Sequence, residues 1–409
     1  MKRRLALLTL LFVCMASLVL MPTLAQQTDS NAIGPKSDTD KFLRMGKDAI
    51  PFNYIVVLDA DTDVANGDAA FAAQSANELA AAYGGVITNI YGHALNGYSA
   101  QMSEDQAIKL SQDPRVRFVE EDSVMQATVT QTNPPSWGLD RIDETDLPLS
   151  SSYSYTTTGS GVNVYIIDTG IRRTHTQFGG RAFIGFDAVG DGQNTNDCNG
   201  HGTHVAGTVG GSTVGVAKSV RLFAVRVLNC SGSGTNSGVI AGINWVTSNR
   251  ILPAVANMSL GGGASTALDS AVRNSIASGV TYAVAAGNSN TNASTSSPAR
   301  VAEAITVGSS TINDARSSFS NFGSVVDIFA PGSSIVSSYR TSDTATATLS
   351  GTSMASPHVA GIAARILQSN PGASPATVRN TIVNDASLNK LSGIPAGTSN
   401  RLLFRSPSL

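Results

Sequence analysis

The sequence predicts an α/β fold, a mostly parallel sheet with helices on both faces, preceded by a small α+β domain of the ferredoxin-like type. From about residue 162 onwards, short apolar runs such as residues 164–167 alternate with helical segments. This pattern is typical of parallel strands buried on both faces. Residues 52–119 instead follow the order β-α-β-β-α-β, the split βαβ arrangement. A chain of 409 residues has room for both domains.

Residues 1–25 have the pattern of a secretory signal peptide. Lys2, Arg3 and Arg4 form a charged start, residues 5–20 an apolar core, and residues 23–25 a small-residue cleavage site. The apolar core has 16 residues, whereas a membrane span needs about 20. We therefore favour cleavage over a membrane anchor, and expect a secreted, extracellular protein with no membrane contact after the signal is removed.

Residues 26–51 are polar and lack a periodic pattern, which predicts a linker before a domain over 52–126. Ser103 caps the second helix of that domain, with Glu104 in its first turn. Asn96-Gly97 marks the turn between its two middle strands. The elements predicted in order are a strand over 54–58, a helix over 69–83, strands over 86–91 and 98–102, a helix over 104–111 and a strand over 116–119.

The larger domain, 127–409, opens with a polar junction at 127–136. Its last helix begins at Ser374-Pro375, a cap followed by a proline at the first helical position. Ligands of such sheets bind beyond the carboxyl ends of the strands, where Asp168 and Asn288 lie. The predicted strands cover 162–168, 221–228, 255–260 and 280–286, and the predicted helices begin at His201 and cover 236–249 and 267–278.

Three motifs of the larger domain carry groups used in nucleophilic catalysis. A strand ends in Ile-Ile-Asp-Thr-Gly with Asp168, and a helix opens with Asn-Gly-His-Gly-Thr-His around His201. Gly-Thr-Ser-Met-Ala places Ser353 before an apolar helical run over 359–367. A lone serine there is also a common helix cap. The order Asp, His, Ser is nevertheless one of the known orders of the serine hydrolase triad.

Together with Ala-Ala-Gly-Asn at 285–288, these motifs resemble those of the subtilisin-like serine endopeptidases. The stretch from Trp137 to Phe404 is similar to the proteinase K branch, and most similar to aqualysin-like secreted enzymes. The resemblance extends from about residue 52 almost to the C-terminus. It implies a monomeric endopeptidase with a subtilisin-like fold that acts on proteins and peptides. It also implies that domain 52–126 is an inhibitory propeptide, cut by the enzyme itself near Gln126–Ala127.

Chemistry and resemblance together suggest roles for the polar groups. Ser353 would be the nucleophile, His201 the general base and then the general acid, and Asp168 the group that orients the imidazole. From the residues alone His204, one turn further on, is an alternative base, and the resemblance selects His201. The Ser353 N–H and the side-chain amide of Asn288 would stabilise the oxyanion. Asn288 on its own could equally be a turn residue.

The resemblance implies that a substrate binds as an added strand between two edges. Small residues along one wall leave room for bulky apolar or aromatic side chains before the scissile bond. Proteinase K has an aromatic residue where this chain has Asn236, so the outer subsite preference is not predicted. The edges and the wall match Gly232, Ser233, Gly234, Ser259, Leu260, Gly261, Ala285, Ala286 and Gly287.

The resemblance also implies structural calcium. One site matches Asp327 with the carbonyls of Ala302 and Ala304. Clustered oxygen ligands suit Ca²⁺, although helix caps and turn residues would give the same composition. A second site matches Asp140, Asp143, Glu144, Ser150 and Ser152.

Of three cysteines, Cys14 leaves with the signal, and Cys198 and Cys230 remain to form a disulfide. Closing that loop would stabilise the fold by about 3–4 kcal/mol. Cys198, His201 and His204 are also spaced like zinc ligands, but no fourth ligand lies nearby in the sequence. Ser294 and Val325 stand where the aqualysin-like relative has a second disulfide, so that bridge is not expected.

Charge and motif order exclude several other classes of protein. Residues 26–126 carry 7 Lys/Arg and 15 Asp/Glu, and residues 127–409 carry 17 and 14. Opposite net charges suit an intramolecular partnership between the two parts. The absence of a basic cluster with interleaved aromatics argues against nucleic acid binding. A lipase or esterase would have the order Ser, Asp, His, and a non-catalytic binding protein would have a broken triad.

Overall fold

The computed structural model describes residues 41–45, 49–59, 69–123 and 128–407 and divides the chain into two compact units at Val124. Each unit has its own buried core. The predicted signal peptide, most of the predicted linker and the predicted cleavage position lie outside the described residues. Among the described residues, no helix combines the length and the apolar character that crossing a bilayer requires.

The smaller unit is a five-stranded sheet with two helices, and it confirms the predicted α+β domain. The sheet has the order β1-β5-β2-β4-β3. Ser103 caps α2 in a reciprocal pair of hydrogen bonds with Gln106. The elements are β1 (Phe42–Leu43), β2 (Ala49–Leu58), α1 (Ala69–Tyr83), β3 (Val86–Tyr91), β4 (Gly97–Gln101), α2 (Glu104–Ser111) and β5 (Val116–Ser123).

The predicted linker over 26–51 is too long at its C-terminal end. Residues from Ala49 onwards belong to β2, and Phe42–Leu43 pairs in parallel with β5. Phe42 is buried against Tyr54, with ring centroids 5.9 Å apart. A strand of two residues has no periodic pattern, so the sequence gives no sign of it.

The larger unit contains the nine-stranded sheet β19-β20-β16-β15-β13-β11-β8-β10-β9, in which every pair except β19–β20 is parallel. Its first strands and helices are β6 (Val129–Thr132), α3 (Trp137–Arg141), β7 (Ser152–Tyr155), β8 (Asn163–Asp168), β9 (Ala182–Asp187), α4 (His201–Gly210), β10 (Arg221–Arg226), α5 (Asn236–Asn249), β11 (Ala254–Met258), β12 (Gly262–Gly263), α6 (Thr266–Ala277) and β13 (Val280–Ala285). The later ones are β14 (Ser296–Ser297), β15 (Ile305–Ser310), β16 (Ile328–Pro331), β17 (Ile335–Ser338), β18 (Thr346–Leu349), α7 (Thr352–Ser369), α8 (Pro375–Asp385), β19 (Ser387–Leu388) and β20 (Arg401–Leu402).

Helices cover both faces of this sheet, which confirms the predicted α/β class. In β8, Val164 and Ile166 belong to the core cluster that includes α4 and α7. Tyr165 and Ile167 belong to the cluster that includes α5 and α6. Alternate residues of a strand face opposite sides of a sheet. A continuous apolar run is therefore what a doubly covered strand requires.

The topology brings the carboxyl ends of three neighbouring strands to one edge of the sheet. β8 ends at Asp168, β11 is followed by Ser259, and β13 is followed by the loop that holds Asn288. These strands are adjacent and parallel. Residues that are far apart in the sequence therefore meet along this edge.

Candidate active site

Asp168 and His201 form a direct hydrogen bond. Asp168 is fully buried at the end of β8, and His201 is the first residue of α4. His201 Nδ1 lies 2.8 Å from Asp168 Oδ1, which also accepts the Thr169 N–H at 2.7 Å. A carboxylate at Nδ1 keeps the proton there and leaves Nε2 free to accept one.

The electrostatics of the site raise the pKa of His201. Burial lowers the pKa of His201. The charge of Asp168, its hydrogen bond and the charge of Asp197 outweigh that effect and raise the pKa above its ordinary value. The imidazole is 27% exposed, so it is accessible from the cleft. This arrangement stabilises an imidazolium formed during a reaction.

Ser353 is the second residue of α7, and its hydroxyl faces the end of β11. Ser353 Oγ donates to the Ser259 carbonyl at 3.0 Å, and Ser259 Oγ donates to the Ser353 carbonyl at 2.7 Å. Among the described residues, the hydroxyl is therefore bonded to Ser259 and not to His201. Ser259 lines the same cavity as His201, whereas Ser353 lines the adjoining one.

The side chain of Asn288 is oriented by Thr352, a residue that the sequence analysis did not single out. Asn288 Oδ1 accepts the Thr352 N–H at 2.8 Å and the Thr352 hydroxyl at 2.9 Å. Thr352 Oγ1 in turn accepts the Gly287 N–H at 3.1 Å. With its oxygen engaged, the amide has both Nδ2 hydrogens left to donate. Asn288 and Ser353 line one cavity.

Two adjoining cavities contain all the predicted substrate-binding residues. The first, of about 560 Å³, is lined by His201, Asn236 and both predicted edges, and the second, of about 360 Å³, by Asn288 and Ser353. Leu260 and Gly261 line both cavities. The predicted edge residues of the first cavity are Gly232, Ser233, Gly234, Ser259, Leu260 and Gly261, and the predicted wall of the second is Ala285, Ala286 and Gly287.

The predicted disulfide between Cys198 and Cys230 is confirmed, with an S–S distance of 2.04 Å. It joins the loop before His201 to the loop that carries Gly232. Asn199 supports the same junction, because its Nδ2 donates to the Cys230 carbonyl at 3.0 Å. The first predicted edge is thus covalently tied to the segment that positions the imidazole.

The zinc interpretation of Cys198, His201 and His204 is wrong. Cys198 is in the disulfide, and His201 Nδ1 is bonded to Asp168. His204 Nε2 lies 3.0 Å from the carbonyl of Ile335 and 3.1 Å from that of Ala347. His204 is fully buried, and burial lowers its pKa to about 4. It is therefore not placed to act as the alternative base.

The first predicted calcium set does not fit a divalent cation. Asp327 Oδ2 accepts the Thr306 N–H at 2.8 Å, and Asp327 Oδ1 forms an ion pair with Arg379. Burial raises the pKa of Asp327, although both of these contacts act to lower it. Because a guanidinium already compensates the carboxylate, Asp327 with Ala302 and Ala304 offers a poor site for a second cation.

In the second predicted calcium set, Asp143 keeps a carboxylate oxygen for a cation, although the ligand atoms of Asp140, Asp143 and Glu144 do not all lie within 4.8 Å of one another. Asp143 Oδ1 is buried without a hydrogen bond partner, and Oδ2 accepts the Ser154 N–H at 2.7 Å. Burial raises the pKa of Asp143 to about 7, and the charges of Glu144 and Asp140 add to the effect. Asp140 accepts hydrogen bonds from Ser150, whose hydroxyl lies 2.8 Å from that of Ser152. An uncompensated carboxylate oxygen among acidic neighbours suits a hard cation.

Comparison with known proteins points to one family. Residues 159–403 match the profile of the Subtilase family, and residues 53–128 match that of Peptidase inhibitor I9. The chain is 49% identical to the extracellular serine proteinase of Thermus sp. (strain Rt41A), over 87% of this chain and 90% of that protein. It is 50% identical to alkaline serine exoprotease A of Vibrio alginolyticus, over 87% of this chain and 68% of that protein.

A fungal relative and a solved structure are similar as well. The subtilisin-like serine protease Pen c 1 of Penicillium citrinum is 44% identical, over 87% of this chain and 91% of that protein. The crystal structure of a cold adapted subtilisin-like serine proteinase superimposes with a TM-score of 0.64 at 56% identity. It covers 67% of this chain and 98% of that one.

Proposed function

Because this chain belongs to the subtilase family of serine proteases and carries a peptidase inhibitor I9 domain, we propose that it is a secreted endopeptidase acting through Asp168, His201 and Ser353. The hydrogen bond between Asp168 and His201 is the observation that carries this proposal, and His201 lines the same cavity as Ser259. It leaves His201 Nε2 as the acceptor for a proton. No other histidine of the protease unit has its ring paired with a carboxylate in the described residues.

The reaction begins with the hydroxyl of Ser353. Its Oγ leaves the Ser259 carbonyl, transfers its proton to His201 Nε2 and bonds to the carbonyl carbon of the scissile peptide. Asp168 stabilises the resulting imidazolium, which then protonates the departing amine. An acyl-enzyme on Ser353 remains, and a water activated by the same imidazole hydrolyses it.

The oxyanion formed in each half of the reaction requires fixed donors. The Ser353 N–H belongs to the first turn of α7, where no helix carbonyl can accept it. The Asn288 amide is the second donor, since Thr352 occupies its oxygen. Because Thr352 orients the amide and α7 fixes the direction of the Ser353 N–H, the charge would develop in a preorganised site.

The two cavities support an extended peptide as substrate. A peptide strand between the Gly232–Gly234 loop and the Ser259–Gly261 segment would use main-chain hydrogen bonds for affinity. Ala285, Ala286 and Gly287 have little or no side chain to fill the second cavity. Bulky apolar residues before the scissile bond are therefore the expected preference.

The acidic N-terminal domain is proposed to act as a propeptide. Residues 26–126 carry a net charge of −8 and residues 127–409 a net charge of +3, which favours their association. The enzyme would cut near Gln126–Ala127 after export under a signal peptide. The released domain would act as an inhibitor of the monomeric protease. Structural calcium at the Asp140 and Asp143 site would stabilise the fold without taking part in the reaction.

Processing of a Ser353→Ala chain tests this proposal. The variant should be secreted at full pro-length and should not hydrolyse peptides, because no nucleophile remains. Ser350→Ala is the matched control and should be trimmed normally, since Ser350 is exposed just before α7 and its hydroxyl accepts the Ser334 N–H, away from Asp168 and His201. Normal trimming of Ser353→Ala would show that another protease makes the cut. Retained peptidase activity would reject Ser353 as the nucleophile.

A further inference from the structure

The first turn of α4 is capped by a side chain from outside the helix. The residue before His201 is Gly200, which has φ of +112° and no side chain to cap with. A Cβ at Gly200 would lie 2.4 Å from the ring of Tyr339, so a serine or aspartate could not stand there. Asp197 supplies the missing acceptor instead.

Asp197 accepts five hydrogen bonds and is only 9% exposed. Three reach Oδ1, from the Gly200 N–H at 2.7 Å, the Asn199 N–H at 3.0 Å and the Thr169 hydroxyl at 2.9 Å. Two reach Oδ2, from the N–H of Thr203 at 2.9 Å and its hydroxyl at 2.6 Å. Both carboxylate oxygens are therefore fully engaged.

These contacts connect the turn that follows Asp168 with the helix that carries His201. Thr169 directly follows Asp168, and its Oγ1 accepts the Gly202 N–H at 2.9 Å. Gly200 and Gly202 flank His201 on either side. A shift of Asp197 would therefore change the separation between the Asp168 turn and the residue that carries the imidazole.

Asp197 also places a negative charge at the site. Among the ion pairs of the described residues, none involves Asp197. Its charge lies at the positive end of the α4 dipole and acts on His201 in the same direction as that of Asp168. Asp197 therefore both fixes the start of α4 and contributes negative charge near His201.

We propose that Asp197 is a positioning residue for His201. Its carboxylate holds the first turn of α4 against the Asp168–Thr169 turn and adds a second negative charge near the imidazole. Its catalytic meaning rests on the proposed function, because Asp197 does not touch the substrate and acts through His201. The sequence gives no sign of this role, because the contact with Thr169 joins residues 28 positions apart.

Asp197→Asn keeps the shape of the side chain, removes its charge and replaces one accepting oxygen by an NH₂ group that cannot accept the N–H groups bonded there. We expect the pKa of His201, followed by NMR of its Nδ1 proton, to fall by about 0.5–1 unit. We expect kcat to fall about tenfold, with KM within about twofold of the wild type, because misplacement affects the reaction more than binding. A lower melting temperature with unchanged His201 pKa and kcat would reduce Asp197 to a helix cap and overturn the proposal.

Thr203→Val provides the second variant if Asp197→Asn does not fold. It removes the 2.6 Å hydrogen bond to Asp197 and the acceptor of the Arg172 N–H but keeps the charge of Asp197, so kcat should fall several-fold while the pKa of His201 stays the same. Thr208→Val is the control, since Thr208 lies on the same helix and its hydroxyl donates to His204 O. Equal kcat in the two valine variants would contradict the proposal. If the pKa of His201 shifts in Asp197→Asn but the wild-type protein cuts no peptide, the positioning role of Asp197 would stand and only the proposed function would be rejected.

Discussion

Ser353 and Ser259 hold each other through two reciprocal hydrogen bonds, from the Ser353 hydroxyl to the Ser259 carbonyl and from the Ser259 hydroxyl to the Ser353 carbonyl. The network continues inwards. Asn257 Nδ2 donates to Ser259 Oγ at 2.8 Å, and Ser356 Oγ donates to Asn257 Oδ1 at 2.7 Å. The start of α7 is thereby fixed to the end of β11. The proposed nucleophile and the proposed substrate edge are held as one unit.

Ser259→Ala should therefore lower kcat by several-fold while the main-chain edge for substrate binding remains. Loss of the donor leaves a part-buried carbonyl of Ser353 unsatisfied, which costs about 1–3 kcal/mol. Steady-state kinetics on a chromogenic peptide would measure the effect, with Ser350→Ala as the control. An unchanged kcat would show that the reciprocal bonds do not position Ser353.

Asn288→Leu should lower kcat by about 100- to 1000-fold with little change in KM, as loss of such an amide does in this family. Thr352→Val, which leaves the amide present but less well oriented, should give a smaller loss of kcat. Kinetics of both variants on one peptide would compare them. Equal losses in the two would mean that Thr352 contributes more than orientation.

Two buried histidines predict a loss of stability in acid. Burial lowers the pKa of both His204 and His358 to about 4, against about 6.5 in an unfolded chain. The folded state binds fewer protons than the unfolded one between these values. Stability is therefore complete above pH 6.5 and falls as the pH drops towards 4. The loss is on the order of 2–3 kcal/mol for each histidine.

His358→Phe should remove one of these two contributions. Unfolding of the phosphonate-inhibited protein by urea, at pH values from 4.5 to 8, would measure the dependence. The variant should lose less stability on acidification than the wild type, whatever its stability at pH 8. A parallel pH dependence in the two proteins would show that His358 does not titrate on unfolding.

Calcium should stabilise the protease through Asp143 and not through Asp327. Removing calcium with a chelator should lower the melting temperature of the wild type by about 5–10 °C. Asp143→Asn should abolish this response. Asp327→Asn should lower the melting temperature by breaking the Arg379 pair, yet keep the response to calcium. If calorimetry showed that Asp327→Asn loses the response to calcium and Asp143→Asn keeps it, the cation would bind at Asp327 instead.

The fold was largely predictable because its signals are local. Apolar runs such as residues 164–167 require burial on both faces, and the alternation of strands and helices then determines a parallel sheet. Helix starts were predictable where the cap lies within the local sequence, as at Ser103 and Ser374. The short strand β1 was missed because its stability comes from Phe42 packing on Tyr54, a contact that only the folded chain creates.

Only the site residues that lie within recognisable motifs could be predicted from the sequence. Asp168, His201 and Ser353 stand in recognisable segments, whereas Asp197 and Thr352 act through contacts with residues distant in the sequence. The Asp327–Arg379 pair joins residues 52 positions apart. This pair makes Asp327 a poor calcium ligand, and no pattern in the local sequence indicates it.

Reaction with a fluorophosphonate, followed by mass spectrometry of the modified peptide, tests whether Ser353 is the nucleophile and His201 its base. We expect one label, on Ser353, in the wild type and almost none in His201→Ala, because the hydroxyl then has no base. A label on another serine would contradict these roles, as would equally fast labelling of Ser353 without His201.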